Sequence, residues 1–278
     1  MCCFGTLSIT VQVLNVGVLY TANEALLAGA MFLLLLAATE LGFRIGRRGY
    51  SRISEKSKTQ ISVIQGSMLG VVGLLLGFTI AMAVSRFELR KKLVLDEANA
   101  IGTSYLRTDL IPEPDRGYIA QQLRDYLGLR LRYARDPSIL KDGNAIKKAQ
   151  QEIGRAQNLF WRRAIACAQK DPNPVTTGLL LQSLNEIIDL STARWAALNN
   201  HVPETVIYVN AVVALLATTL VGYSIGLAGQ RDVFSVALLS IGITITLTVI
   251  IDLDSSRQGL ITVSQQPLID LQENLSDH

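Results

Sequence analysis

Ile61–Val84 reads ISVIQGSMLGVVGLLLGFTIAMAV, and none of its residues is Asp, Glu, Lys or Arg. A helix of this length rises about 36 Å, which is enough to cross the hydrocarbon core of a bilayer, about 30 Å thick. Three other apolar stretches have a similar length: Ala25–Phe43, Thr205–Leu227 and Val233–Ile251. The sequence therefore predicts an all-α integral membrane protein with four transmembrane helices.

The four stretches form two pairs, and a charged segment separates the pairs. Pro112 and Pro114 should break the helix that continues beyond the second stretch as Arg86–Leu110. Apolar residues at helical spacing then predict a helical bundle outside the membrane. The predicted organisation is an N-terminal arm of uncertain structure (1–22), transmembrane hairpin 1 (23–85), a helical extramembrane domain (86–203), transmembrane hairpin 2 (204–252) and a C-terminal tail (253–278).

Composition and motifs argue against several classes of function. The net charge is only +3, which gives no support for nucleic-acid binding. Two His and three Cys residues are too few and too scattered for a metal cluster, so neither a metal site nor a cofactor is expected. No nucleophile–base arrangement and no phosphate-binding loop is visible, and we therefore predict that the protein is not an enzyme. Glu40, the only acid in the four stretches, lies one turn before Arg44, which favours a boundary acid over a proton-relay acid.

The orientation in the membrane stays open. The loop predicted at Arg44–Gln60 and the short loop at Gln230–Asp232 lie on one side, with six and one Lys or Arg residues. The opposite side carries about as many cations near the helix ends. The positive-inside rule requires a clear excess on one side.

Glycine spacing makes the second stretch the most patterned of the four. Gly66, Gly70, Gly73 and Gly77 form two pairs with a spacing of four residues. Small residues at this spacing let helices approach closely in lipid. The glycine face is either a helix-packing face or the lining of a narrow path, and both can hold in an oligomer.

Hydroxyl side chains give the fourth stretch a similar ambiguity. Ser240, Thr244 and Thr248 recur every four residues and so lie on one face. They can bond to their own helix, contact a neighbouring helix or line a polar path.

Charged residues flank the second and fourth stretches. Arg86 and Arg90 are candidates for attracting anions at the mouth of a path, although such residues also extend to lipid headgroups. Asp252 and Asp254 are acids at the membrane boundary, and a salt bridge to the basic stretch 86–92 is favoured over metal binding.

Two motifs add a family resemblance. The first motif consists of Leu75-Leu76-Gly77-Phe78-Thr79, Ser85-Arg86-Phe87 and Asp96-Glu97-Ala98-Asn99-Ala100-Ile101-Gly102-Thr103-Ser104-Tyr105-Leu106-Arg107. The second motif consists of Ile251-Asp252-Leu253-Asp254 and Val263-Ser264-Gln265-Gln266-Pro267. Together they resemble the bestrophin-like family of bacterial membrane proteins, a family of unknown function. One departure is Ser255-Ser256-Arg257, where the family often has Arg-Pro.

The resemblance implies distant similarity to bestrophins, which are homopentameric anion channels. It therefore implies an oligomeric ion channel, with inorganic anions as partners, spanning the inner (plasma) membrane several times in a lipid bilayer. The calcium-binding run of acids of bestrophins is not present in this sequence. The alternative is a non-conducting scaffold or sensor whose central helical domain binds a protein partner.

Overall fold

The computed structural model describes residues 24–49, 54–136, 139, 143–229, 231–255 and 261–276. These residues form eight α-helices, a 3₁₀ turn at Thr108–Leu110 and a π-helical turn at Pro174–Gly178. The predicted arm at residues 1–22 lies outside the described residues. The helices are α1 (Glu24–Gly49), α2 (Glu55–Arg107), α3 (Asp115–Arg135), α4 (Gly143–Lys170), α5 (Leu179–Asn199), α6 (Glu204–Ala228), α7 (Val233–Asp254) and α8 (Gln266–Ser276).

Four helical segments are long and apolar enough to cross a membrane: Ala25–Gly49, Lys56–Leu110, Val175–Ala228 and Val233–Asp254. They contain the four predicted apolar stretches, so the prediction of an all-α protein with four such helices is confirmed. Many of their large apolar side chains are exposed within the protomer, as is normal for surfaces that face lipid or a neighbouring subunit.

One predicted loop was wrong in its bounds. The sequence suggested a loop over Arg44–Gln60, but α1 continues to Gly49 and α2 begins at Glu55. In α1, Arg44 Nε lies 2.8 Å from Glu40 Oε1, an i, i+4 ion pair that supports the extra turn. Ser54 caps α2 by accepting a hydrogen bond from the Ser57 backbone N–H. Local polar contacts thus extend both helices beyond the apolar residues from which their ends were predicted.

Each apolar helix of the first pair, α1 and α2, packs mainly against helices of the second pair, α6 and α7. Helix α1 lies against α6, and α2 lies against α6 and α7. A Cβ atom at Gly42 would collide with the Thr219 carbonyl oxygen, and one at Gly222 with the Thr39 carbonyl oxygen. Glycine is therefore required where the backbones of α1 and α6 meet.

Helix α2 joins this apolar layer to a second core. At about 1.5 Å per residue its 53 residues span about 80 Å. Beyond the apolar layer it packs with α3, α5 and α8 around a core of large buried side chains, among them Tyr126, Phe160, Leu184 and Leu268. The predicted continuation of the second stretch into the helical segment is confirmed.

A heptad repeat marks the side of α2 that faces these two cores. Leu76, Ala83, Arg90, Glu97 and Ser104 recur every seven residues, and all five are buried. Two of the five are charged, and both have partners of opposite charge. The side chains on the other side of the helix are largely uncovered within the protomer.

Candidate functional site

The four glycines in the apolar part of α2 lie on the uncovered side of the helix. A Cβ atom built at Gly66, Gly70, Gly73 or Gly77 would meet no atom within 4 Å. These glycines therefore do not mediate packing within the protomer, in contrast to Gly42 and those of α6. Whatever meets this face is lipid, another subunit or an aqueous path.

A lane of bulky side chains runs beside the glycines. Ile64, Val71, Leu74 and Phe78 are exposed, and in Phe78 the exposed fraction reaches 64%. Spacings of three, four and seven residues place them on one side of the helix. The uncovered surface of α2 thus has a flat glycine lane and an adjoining apolar ridge.

Charged residues continue this surface beyond the apolar layer. Glu88, Lys91 and Lys92 are exposed, and Lys91 Nζ lies 4.0 Å from Glu88 Oε2. The remaining cation, Lys92, makes the local charge of this trio positive. The uncovered face therefore changes from apolar to basic at the end of the membrane segment.

Arg86 and Arg90 lie at the same end of α2 but in different surroundings. Arg86 is half-buried, and its Nη1 donates to Asn200 Oδ1 at 2.8 Å and to the carbonyl oxygen of His201. Arg90 is 3% exposed, and its Nη2 donates to the Leu253 carbonyl oxygen at 2.9 Å. Arg90 is thus an internal contact between α2 and the end of α7.

The two boundary acids hold this junction together. Asp254 Oδ1 lies 3.9 Å from Arg90 Nη2, an ion pair between the basic stretch and the exit of α7. Asp254 Oδ2 also accepts a hydrogen bond from the Val202 backbone N–H at 2.9 Å. Asp252 Oδ2 accepts from the Ile261 backbone N–H at 3.0 Å. Both buried carboxylates therefore fix the chain segments that enter α6 and leave α7.

The hydroxyl face of α7 is directed into the protomer. Ser240 and Thr244 are buried, and Thr248 Oγ1 donates to the Thr244 carbonyl oxygen at 2.9 Å. Among the described residues, Ser240 Oγ and Thr244 Oγ1 have no hydrogen-bond partner. This face is brought next to the other apolar helices rather than to the glycine lane of α2.

One polar contact inside the apolar layer was not predicted from the sequence. Asn210 Nδ2 of α6 donates to Thr79 Oγ1 of α2 at 2.9 Å, and both side chains are buried. A lone Asn in an apolar stretch was the available signal, since such a residue requires an internal partner in lipid.

A buried charged cluster was also missed. Glu97 of α2 is fully buried between Arg130 of α3 and Arg194 of α5, and the Tyr126 hydroxyl donates to Glu97 Oε1 at 2.8 Å. Arg194 Nη2 donates to Gln265 Oε1 at 3.0 Å, just before α8. The carboxylate therefore joins α2, α3 and α5, and Arg194 extends the cluster to the residue that precedes α8.

The charges in this cluster set the protonation of Glu97. Burial alone would raise the pKa of the carboxyl, but Arg130 and Arg194 outweigh it and hold the pKa of Glu97 below its ordinary value of 4.5. Burial, reinforced by Glu97, raises the pKa of Tyr126, so its hydroxyl remains a donor at neutral pH. Within the described part of the chain, no group of three or more His, Cys, Asp or Glu side chains could hold a metal ion.

Comparisons with known proteins agree with the overall fold. The family model for the Bestrophin-like domain matches residues 30–268. A crystal structure of a point mutant of a bacterial bestrophin homolog from Klebsiella pneumoniae is similar with a TM-score of 0.66 at 14% identity, covering 92% of this chain and 98% of that chain. The structure of the Klebsiella pneumoniae homolog solved by zinc phasing gives a TM-score of 0.61 at 15% identity, with the same coverage.

A third crystal structure, of a membrane protein with a leucine-to-alanine mutation, gives a TM-score of 0.64 at 14% identity and covers 92% of this chain and 98% of that chain. Identities this low show a shared fold alone. No curated protein matches the chain in sequence.

Proposed function

The chain belongs to the bestrophin-like family, and from that premise we propose that it forms an oligomeric ion channel whose conducting path is lined by α2. In this proposal, residues 23–85 and 204–252 are the transmembrane hairpins of a multi-pass protein of the inner (plasma) membrane. Residues 86–203 form the helical domain outside the bilayer.

The uncovered face of α2 is the observation that carries the proposal. One side of the helix is anchored in the protomer through Leu76, Ala83 and Arg90, while the glycine lane on the other side meets nothing. A ring of protomers would bring the uncovered faces together around an axis. The glycine lane would permit close approach of neighbouring helices, and the ridge at Leu74 and Phe78 would narrow the path.

An anion preference follows from the charges at the end of this face. Lys91 and Lys92 are exposed there, and Arg86 lies one turn nearer the apolar layer. Fixed cations raise the local concentration of anions at a mouth and lower that of cations. Arg90 is left out of this role because its guanidinium is buried against Leu253.

The oligomeric mass of the purified protein tests the arrangement. A closed ring should appear in native mass spectrometry, and the family analogy makes five copies the expected number. A monomer or dimer would contradict the proposal, because one or two copies of α2 cannot enclose a path.

A non-conducting scaffold or sensor is the second candidate. It is favoured by apolar side chains that lie exposed in the segment outside the apolar layer: Leu106 (70% exposed), Val175 (68%) and Leu159 (49%). Exposed apolar side chains on a water-facing surface favour contact with protein. Cross-linking that recovers contacts only between copies of this chain would argue against a separate partner.

A further inference from the structure

A cleft of about 260 Å³ opens where α1, α6 and the start of α7 meet. Its lining is mainly apolar and includes Leu36, Phe43, Gly222, Ile225, Val233 and Val236. The Arg90–Asp254 ion pair lies at the end of α7 and close to the start of α6, whereas the cleft lies at the start of α7 and close to the end of α6. It has no role in the ion path proposed above.

Charges of both signs line the mouth of the cleft. Glu40, Arg231 and Asp232 all contribute to its lining. Arg231 Nη2 donates to Glu40 Oε1 at 3.1 Å, and its guanidinium stacks 4.7 Å from the centre of the Phe43 ring. The Arg231 side chain is still 56% exposed, so N–H groups remain accessible to a ligand.

The cleft lies at the boundary between polar and apolar sequence. Arg231 and Asp232 immediately precede the apolar residues of α7, which begin at Val233. Glu40 occupies the same level in α1, as its contact with Arg231 requires. In a membrane protein, charges at such a boundary lie among lipid headgroups, and the apolar lining faces acyl chains.

We propose that this cleft binds a phospholipid whose headgroup carries both a phosphate and an ammonium group, as phosphatidylethanolamine does. The phosphate would bind to the Arg231 guanidinium, and the ammonium group would lie between the carboxylates of Glu40 and Asp232. One acyl chain would pack along Leu36 and Val236. Arg44 lies outside the lining but pairs with Glu40, so two acids and two arginines surround the cleft without net charge, which suits a headgroup that also has no net charge better than an anionic one.

Lipid retention in native mass spectrometry tests this proposal. Detergent-purified protein is mixed with equal amounts of phosphatidylethanolamine and phosphatidylglycerol that carry acyl chains of distinguishable mass. We expect wild-type protein to retain phosphatidylethanolamine preferentially. R231Q should reduce its retention about tenfold, the effect of losing one charge-assisted hydrogen bond.

Two further variants separate binding from folding. Asp232→Asn keeps a side chain that can cap α7 but removes its charge, so it should shift the preference toward phosphatidylglycerol. Val236→Trp fills the apolar part of the cleft and should lower retention of both lipids without altering any charge. Arg48→Gln is the matched control, because Arg48 is an exposed cation near the same end of α1 and does not line the cleft.

Equal retention of the two lipids by wild-type protein would overturn the proposal. So would retention of phosphatidylethanolamine by R231Q and Val236→Trp at the wild-type level. The proposal would also be overturned if R231Q and Val236→Trp changed the oligomeric mass and left lipid retention unchanged, because a second copy of the chain would then fill the cleft. The readout is binding, so these outcomes are independent of whether the protein conducts ions.

Discussion

Glu97 Oε1 lies 2.8 Å from Arg130 Nε in an ion pair between α2 and α3, and the Glu97 side chain is fully buried. Arg194 of α5 binds the other oxygen of the same carboxylate. Two guanidinium groups therefore depend on one acid for their countercharge. Glu97 thus fixes α3 and α5 to α2. Arg90, seven residues earlier in α2, fixes the same helix to the end of α7.

Removing the Glu97 charge should strongly destabilise the helical domain. E97Q leaves two buried cations without a counterion, and loss of one partner from a buried ion pair costs about 3–5 kcal/mol. Denaturant titration in detergent, followed by circular dichroism, measures the loss. Glu88→Gln is the matched control on the same helix: its carboxylate is exposed and its ion pair with Lys91 should contribute less than about 1 kcal/mol. Equal stability of the two variants would contradict this role.

Acid should weaken the same cluster. The pKa of Glu97 in the folded protein lies below its ordinary value of 4.5, so ionised Glu97 contributes stability at neutral pH. That contribution is lost as the pH falls below 4.5 and through the lowered pKa. Unfolding free energies measured between pH 7 and pH 3 should therefore fall more steeply for wild-type protein than for E97Q. Parallel curves would show that Glu97 does not titrate as described.

The glycines at the contact between α1 and α6, which are Gly42, Gly46, Gly222 and Gly226, should tolerate substitution far less than other glycines in the apolar layer. Gly222→Ala places a methyl group against the Thr39 carbonyl oxygen, and overpacking of this kind costs about 1–3 kcal/mol. Gly29→Ala is the control, because a Cβ atom there meets nothing within 4 Å. Thermal unfolding in detergent should show a lower midpoint for Gly222→Ala only. A midpoint unchanged by Gly222→Ala would mean that α1 and α6 are not in close contact.

Reversing the charge at the end of the α2 face should change ion selectivity. Lys92→Glu replaces an exposed cation near the proposed mouth, so the anion-to-cation permeability ratio should fall several-fold. Reversal potentials across planar bilayers give this ratio. Lys147→Glu reverses the charge of another exposed lysine, in α4, and should leave the permeability ratio unaltered. A similar effect of both substitutions would place the selectivity outside the α2 face.

The course of α2 was largely predictable from sequence, because the apolar run to Val84 leads into a segment that contains no proline before Pro112. Its buried side was also encoded, since Arg90 and Glu97 continue the heptad of Leu76 and Ala83. That signal was outweighed by the usual expectation that charged residues are exposed. Burial of these charges depends on partners from α3, α5 and α7, and distant contacts of this kind leave no local pattern.

Glycine spacing shows the same limit for the apolar layer. Gly42–Gly46 in α1 and Gly222–Gly226 in α6 have the same spacing as the glycine pairs of α2. Only the first two pairs meet a neighbouring backbone within the protomer. Spacing predicts that close approach is possible, whereas the tertiary arrangement decides which helices use it.

Ion flux through the purified protein in liposomes tests the central claim most directly. We expect wild-type protein to dissipate a chloride gradient in proportion to the amount reconstituted, and Lys92→Glu to reduce that flux. If the flux did not exceed that of protein-free liposomes at any tested pH or calcium concentration, the result would contradict an ion channel. It would favour a non-conducting scaffold or sensor instead.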